Sequence, residues 1–126
     1  MRSRKVAQRA AVLVTLPVLG LSLAGTASAS SAGAENADYV VSNTNACVAT
    51  EQIRVWSDGH DRMQLDPNRN DSTCWFGIWN NATSTWAYGP TQSGGLSGWI
   101  WDGPGTSLMV GVYSTVTGHW NWGPSN

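Results

Sequence analysis

The 126-residue chain has few basic residues, and most of them stand at its start. Of its seven Lys and Arg residues, four lie within the first nine positions, and Lys5 is the only lysine. Beyond residue 30 only Arg54, Arg62 and Arg69 remain against eight acidic residues, a net charge of 3 − 8 = −5. Nucleic acids and anionic membrane surfaces both require a basic footprint on the protein. We therefore expect neither nucleic acid nor a membrane as a partner of the mature chain.

The chain also lacks an apolar run long enough to span a bilayer. Its longest apolar segment, residues 10–24, is 15 residues long and contains Pro17 and Gly20, whereas a membrane-spanning helix needs about 20 residues. Basic residues precede this segment, and the small-x-small triplet Ala27-Ser28-Ala29 follows it. This arrangement is typical of a secretory signal peptide. We predict a signal peptide over residues 1–29 and a secreted, extracellular protein of bacterial origin.

Cysteine is scarce, with only Cys47 and Cys74 in the chain. Two isolated cysteines supply at most half of a zinc site, and an exported thiol is normally oxidised. The sequence therefore predicts a Cys47–Cys74 disulfide. In the chain-entropy model, closing a loop of this length stabilises the fold by roughly 3–4 kcal/mol.

No window after residue 30 carries a sustained helical period of apolar residues. Short segments rich in β-branched and aromatic residues alternate instead with Gly-, Pro-, Asn- and Thr-rich separators. The sequence therefore predicts an all-β, single-domain antiparallel β-sandwich, or a small barrel, of about 7–8 short strands. Residues 30–46 are expected to form an extended or flexible N-terminal arm, and residues 47–126 the Trp-rich β-domain.

Charge is almost absent from the C-terminal half, where Asp102 is the only charged side chain after residue 71. Seven of the eight tryptophans lie in this half. The mature chain contains only sixteen Val, Ile, Leu, Met and Phe residues, so we expect about half of the indoles to fill the core. Because neighbouring strand residues point to opposite faces, Cys74, Phe76 and Ile78 should point inward. The residues expected inside are Trp101, Trp120 and Trp122, and the predicted exposed binding set is Trp75, Trp79, Trp86 and Tyr88.

Catalytic and cofactor motifs are missing. The chain contains no G-x-S-x-G, HExxH or P-loop pattern, and we expect no cofactor and no catalytic residues. Asp102, next to Trp101, is the acid whose pKa burial would raise, although it also opens an ordinary Asp-Gly-Pro-Gly turn. The predicted loop over residues 66–71 contains a weak calcium candidate, formed by Asp66, Asn68 and Asn70, because these match the first ligand positions of an EF-hand.

Three functional hypotheses follow from these features. The first is a secreted, non-catalytic binding protein that contacts a cell-wall glycan or a protein through exposed indoles, since large apolar patches mark interaction sites. The second is an adaptor subunit of an extracellular complex, such as an antibacterial toxin complex, or a protease inhibitor, in which the N-terminal arm adds a strand to a partner. The third is a small hydrolase using Asp102 or His119.

Overall fold

The computed structural model of the chain describes residues 35–126, which contain strands and loops and no helix. The predicted signal peptide, residues 1–29, lies outside the described residues. In the described part, no helix is long and apolar enough to cross a membrane. Eight strands follow one another along the chain: β1 Ala37–Thr44, β2 Cys47–Val55, β3 Asp61–Arg69, β4 Cys74–Asn80, β5 Thr85–Thr91, β6 Ile100–Asp102, β7 Leu108–Ser114 and β8 His119–Trp122.

The strands form two four-stranded antiparallel sheets. Sheet A has the order β1-β2-β3-β6, and sheet B has the order β5-β4-β7-β8. Their inner faces enclose one core, so the prediction of a small all-β sandwich is confirmed. The predicted number of about 7–8 short strands is also confirmed, with eight observed.

The core consists mainly of aliphatic side chains at alternate strand positions, as the pleat requires. In β4 the residues Cys74, Phe76 and Ile78 are completely buried, as parity predicted. In the neighbouring strand β7, Leu108, Val110 and Val112 are also buried and lie beside them on the same face of sheet B. Sheet A closes the core with Val41, Ala49, Ile53, Met63 and Leu65.

The predicted disulfide is confirmed between Cys47 and Cys74, whose Cα atoms lie 5.4 Å apart. Cys47 begins β2 in sheet A and Cys74 begins β4 in sheet B, and both side chains are fully buried. The cystine therefore joins the two sheets covalently at one end of the sandwich.

Most of the predicted N-terminal arm is a structural strand. Residues 37–44 form β1, which pairs with β2 from Ala37↔Ile53 to Thr44↔Cys47. The Asn43 side-chain amide also donates hydrogen bonds to Val112 O at 3.0 Å and His119 O at 2.7 Å in sheet B. These bonds satisfy carbonyls of the opposite sheet, so residues 37–44 of the predicted extended or flexible arm form an extended strand of the sandwich.

The loop predicted over residues 66–71 is wrong for residues 66–69, which continue β3. Pro67 is tolerated there for two reasons. It lies beside a register shift between Val48 and Ala49 of β2. In addition, β6 pairs only with residues 61–63, so β3 has no neighbouring strand on that side at Pro67. Proline is confined to such bulged or edge positions because it cannot donate to the ladder.

Candidate binding surface

None of the eight tryptophans is buried in the described structure, which contains all of them. Trp56, Trp99, Trp101 and Trp122 are exposed, and the other four are half-buried. The expectation that half of the indoles fill the core, including Trp101, Trp120 and Trp122, is therefore wrong. The core is filled without indoles, because nine aliphatic or Phe side chains, two cystine halves and Ala49 occupy its interior.

Six aromatic side chains instead cover the outer face of sheet B, and we call them the tryptophan layer. Parity places them there. The inward positions of β4 and β7 belong to the core, so Trp75 and Trp79 of β4 and Tyr113 of β7 point to the opposite face. The register pairs Trp75 with Tyr113 and Tyr113 with Trp120. The layer comprises Trp75, Trp79, Trp86, Tyr113, Trp120 and Trp122.

A pair of glycines in the two central strands supports the layer. Gly77 of β4 and Gly111 of β7 are directly opposite each other across the ladder. A Cβ atom on Gly77 would come within 2.5 Å of the Trp86 ring, and one on Gly111 within 2.4 Å of the Trp122 ring. The absence of side chains at these two positions lets tryptophans from both edge strands lie directly over the central backbone.

The rings over this glycine pair contact one another. The Trp86 ring centroid lies 5.0 Å from that of Trp120 and 5.9 Å from that of Trp122. Trp120 and Trp122 are 5.4 Å apart and nearly parallel, with planes inclined by 21°. Trp79 meets Trp86 edge-on at 5.2 Å. Aromatic pairs at such distances stabilise each other by about 0.5–1.5 kcal/mol, so the contacts among these indoles help to hold the layer in place.

An open hollow of about 300 Å³ lies at one end of the layer. Its walls are Trp75, Pro90, Tyr113 and Trp120, one residue from each strand of sheet B. Three of these walls are aromatic rings, and the Tyr113 hydroxyl and the indole N–H groups are their polar atoms. The hollow can therefore accept a small, mainly apolar group together with a few hydrogen bonds.

Tyr88 was predicted to lie beside Trp75, Trp79 and Trp86, and the structure separates it from them. Tyr88 pairs with Ile78 and Trp86 pairs with Trp79, which leaves Ala87 as an extra residue in β5. A bulge of this kind reverses the facing of the residues that follow it. Trp86 therefore joins the outer layer, while Tyr88 packs against the core.

The exposed charge of the described chain lies away from the layer. Every charged residue beyond residue 34 belongs to sheet A or to the loops next to it, including Asp102 at the end of β6. Asp102 itself is buried, with 5% of its surface exposed. The outer face of sheet B therefore carries no charged side chain, whereas sheet A carries ion pairs such as Arg54–Asp38 at 2.7 Å.

A second, smaller aromatic group lies on sheet A and is charged. The Arg62 guanidinium lies 4.9 Å from the centre of the Trp56 ring and also pairs with Asp58 at 2.8 Å. Trp101 is the cross-strand partner of Arg62, and its ring lies 5.9 Å from that of His60. These indoles are spaced by charged side chains and do not form a continuous layer.

Glu51 is completely buried beneath sheet B. Its Oε2 accepts a hydrogen bond from Val110 N at 2.8 Å, whereas Oε1 is a buried polar atom without a partner among the described residues. Burial, more than the nearby Asp102, raises the pKa of Glu51 to about 8. The carboxyl group is therefore mostly protonated at neutral pH, since an ionised group there would lack compensation.

Asp61 and Asp102 form a second buried acidic site between β3 and β6. The two residues are cross-strand partners, and the Asn126 side-chain amide donates to both carboxylates. Burial, together with the neighbouring Asp61, raises the pKa of Asp102 to about 6. The Thr106 hydroxyl donates to Asp102 Oδ1 at 3.1 Å. The sequence offered burial of Asp102 and an ordinary Asp-Gly-Pro-Gly turn as two interpretations, and in the structure Asp102 is buried.

The two residues named for a hydrolase do not meet. His119 is opposite Ser114 at one end of β7, while the Asp102 cluster contacts Asn126, which pairs with Leu108 at the other end. Six strand residues separate these ends, roughly 20 Å at 3.3 Å per residue. A catalytic pair of His119 and Asp102 is therefore not formed in this conformation.

The calcium candidate also lacks its predicted setting. Asp66 and Asn68 lie in β3, and the Asn68 side-chain oxygen accepts a hydrogen bond from the Thr50 hydroxyl at 2.7 Å. Asn70 lies beyond the strand, against Gly94. Among the described residues, the one group of clustered ligand-type side chains is Cys47, Asp71 and Cys74. Its two sulfurs are joined in the disulfide.

Sequence reasoning did not place Tyr113, Trp120 and Trp122 in the layer, and it did not identify Glu51 as buried. The His119-Trp120-Asn121-Trp122 alternation did identify a two-faced strand, but the wrong face was assigned to the core: Asn121 donates to Ser42 O on the inner side. The available signal for the layer was the pair Gly77 and Gly111, because each has an outward-facing aromatic residue two positions away in its strand. Glu51 shares the parity of Ile53 in β2, which was sufficient to place it inside.

Comparison of the chain with protein-family models, with curated proteins and with solved structures finds no match.

Proposed function

We propose that the protein is a secreted, non-catalytic binding protein, and that the tryptophan layer is the surface through which it holds a cell-wall glycan or a protein partner. The observation that carries this proposal is the continuous contact among Trp79, Trp86, Trp120 and Trp122 on a solvent-facing sheet. Indoles left outside a core that is already full stabilise the fold less than buried ones and leave apolar surface in water.

The size and composition of the layer support a binding role. Six partly exposed aromatic rings present on the order of several hundred Å² of apolar surface, which is the size of patch that usually marks an interaction site. Tryptophan and tyrosine dominate the energetic centres of binding surfaces. Mutual packing over the glycine pair also holds the rings in place before a ligand arrives, which lowers the entropy lost on binding.

A protein partner is the second candidate, and the edge of sheet A favours it. β1 is paired on one side only, and Asp38, Tyr39 and Val40 are exposed. An added strand from another protein could pair with this edge. Because residues 37–44 are already engaged with β2, such an adaptor or inhibitor would use the edge of β1 and not a free arm.

The test combines cell-wall retention with native mass spectrometry of the secreted protein. Purified walls from the producing cells are incubated with wild type, with Trp120→Ala/Trp122→Ala, and with Trp56→Ala as a matched control on sheet A. We expect the double variant to lose most of its retention while Trp56→Ala keeps it. The mass spectrum reports signal-peptide removal, the disulfide and any co-secreted companion bound in defined stoichiometry.

Far-UV circular dichroism and thermal unfolding establish that each variant is folded. Equal wall retention and equal companion binding by wild type and by the folded double variant would refute a role for the tryptophan layer. A defined companion that remains bound to the double variant, but is lost when the β1 edge is blocked by Val40→Pro, would favour the adaptor.

A further inference from the structure

We propose that the ligand of the tryptophan layer is an uncharged polysaccharide chain, and that the hollow between Trp75, Pro90, Tyr113 and Trp120 holds one of its sugar rings. This inference depends on the proposed function, because it names the class of ligand for the same surface. Four features of the described residues carry it: the absence of charge, the contiguity of the central rings, the composition of the hollow and its position across the sheet.

The absence of charge selects the ligand class. Nothing on the outer face of sheet B can pair with a carboxylate, sulfate or phosphate, since the basic residues Arg54, Arg62 and Arg69 all belong to sheet A. The same face also carries no acidic side chain, since Asp102 lies in β6 of sheet A and is buried. Burying an unpaired ligand charge against indole would be costly. A polymer without charges avoids this cost.

The arrangement of the central rings suits a ligand with flat apolar faces. Trp120 and Trp122 are stacked with planes inclined by 21°, and Trp86 is inclined by 30° to Trp122 and by 47° to Trp120. The three rings therefore form one contiguous but tilted aromatic surface, which we call the platform. Because Gly77 and Gly111 have no side chains, these rings can lie directly against the backbone. A pyranose ring presents C–H groups on its faces and hydroxyls around its edge, so it packs on such a platform and keeps its hydroxyls in water.

The hollow adds a site for a single ring beside the platform. Its volume of about 300 Å³ is at the lower end of small-molecule sites, ~300–1,000 Å³. Trp120 belongs both to the hollow and to the stacked pair with Trp122. A chain with one ring in the hollow can therefore continue over Trp120 onto the platform without interruption.

Protein partners fit these features less well. Protein interfaces surround their aromatic centres with a polar rim, and charges on both partners set the register and accelerate association. Here the uncharged surface extends over all four strands of sheet B. A second copy of the chain, stacked layer on layer, is the competing occupant, and the experiment below separates it from the polysaccharide.

The experiment measures retention of the purified full-length secreted protein on insoluble chitin and insoluble cellulose, and on an insoluble polyuronate as the anionic arm. Trp75→Ala removes one wall of the hollow, Trp120→Ala/Trp122→Ala removes the platform, and Trp56→Ala is the matched control. We expect retention on at least one neutral polymer that exceeds retention on the polyuronate by at least about tenfold. Each layer variant should weaken that retention by at least about tenfold, and Trp56→Ala should leave it unchanged.

Sedimentation velocity on the same proteins distinguishes the ways in which the proposal can fail. If the wild type binds neither neutral polymer but forms a dimer that Trp120→Ala/Trp122→Ala dissociates, the layer is a self-association surface and the ligand class is wrong. Preference for the polyuronate likewise overturns the neutral class. If the folded layer variants match wild type in polymer retention, in wall retention and in sedimentation, the proposed function fails as well.

Discussion

Gly77 and Gly111 are directly opposite each other in the two central strands of sheet B, and tryptophan rings from the two edge strands cover both of them. Trp86 reaches the pair from β5, and Trp122 reaches it from β8. The platform of the tryptophan layer therefore depends on two positions that contribute no side chain. This relationship makes the layer testable without removing any tryptophan.

Gly111→Ala is expected to disturb the layer from below. The added methyl group would lie 2.4 Å from the Trp122 ring and 2.9 Å from the Trp120 ring, so both rings must move outward. Overpacking of this kind destabilises by about 1–3 kcal/mol, and the near-UV circular dichroism of the stacked indoles should change. Gly95→Ala is the matched control, since its methyl group would meet only Ser93 Oγ at 3.4 Å. An unchanged near-UV spectrum in Gly111→Ala would contradict the described packing.

The stability of the protein is expected to fall as the pH rises from about 5 to about 8. Below pH 4.5 Glu51 is protonated in both the folded and the unfolded chain, so its titration does not reduce the free energy of unfolding. Because its folded pKa is about 8 against an ordinary 4.5, the unfolded chain loses the proton first, and the free energy of unfolding decreases until the folded pKa is passed. The total decrease in the free energy of unfolding that Glu51 causes is on the order of 4–5 kcal/mol. Asp102, with a pKa near 6, acts in the same direction at lower pH.

Urea unfolding at several pH values measures this effect, and Glu51→Gln is the variant that isolates it. Glutamine keeps an oxygen for the Val110 N–H but has no proton to lose, so its unfolding free energy should change much less between pH 6 and pH 8. A wild-type curve that is flat over this interval, or an equally steep curve for Glu51→Gln, would show that Glu51 does not titrate as described.

Asn43→Ala is expected to loosen the attachment of β1 to sheet B. The variant leaves the carbonyls of Val112 and His119 without their amide donor. The loss of a hydrogen bond at such a partly buried or exposed position destabilises by about 0.5–1.5 kcal/mol. Asn45→Ala, two residues away in the exposed turn, is the control. Thermal unfolding should show a lower midpoint for the first variant only. Similar midpoints for both variants would mean that β1 contributes little to the sandwich, as the arm prediction implied.

Met63 and Met109 should be oxidised at different rates in the native protein, although both lie in predicted strands. Met63 is completely buried in the core, whereas Met109 is half-buried on the outer face of sheet B, opposite Trp79. Dilute peroxide followed by peptide mass spectrometry should modify Met109 several times faster than Met63. Hydroxyl-radical footprinting in the same protein should label the exposed Trp101 and Trp122 and spare Phe76. Faster oxidation of Met63 than of Met109 would contradict the burial of Met63 in the core.

The strand positions followed from local patterns, because turns need Gly, Pro, Asn or Thr and strands need alternation, and both are readable in short windows. The same reasoning placed Phe76 and Ile78 inside correctly. It failed for Trp120 and Trp122, because alternation shows that a strand has two faces but not which one meets the core. It also failed for Tyr88, since a bulge at Ala87 reverses parity and leaves no trace in composition.

The sequence by itself determined the all-β sandwich, the Cys47–Cys74 link and the uncharged C-terminal half, because each depends on residue type and near spacing. Only the tertiary structure decided which face of sheet B meets the core and which carries the tryptophan layer. That choice depends on volume: aliphatic side chains from both sheets, with Phe76, already fill the interior. The indoles were left to pack on Gly77 and Gly111 from outside, and the pairing of those two glycines across β4 and β7 is a property of the register alone.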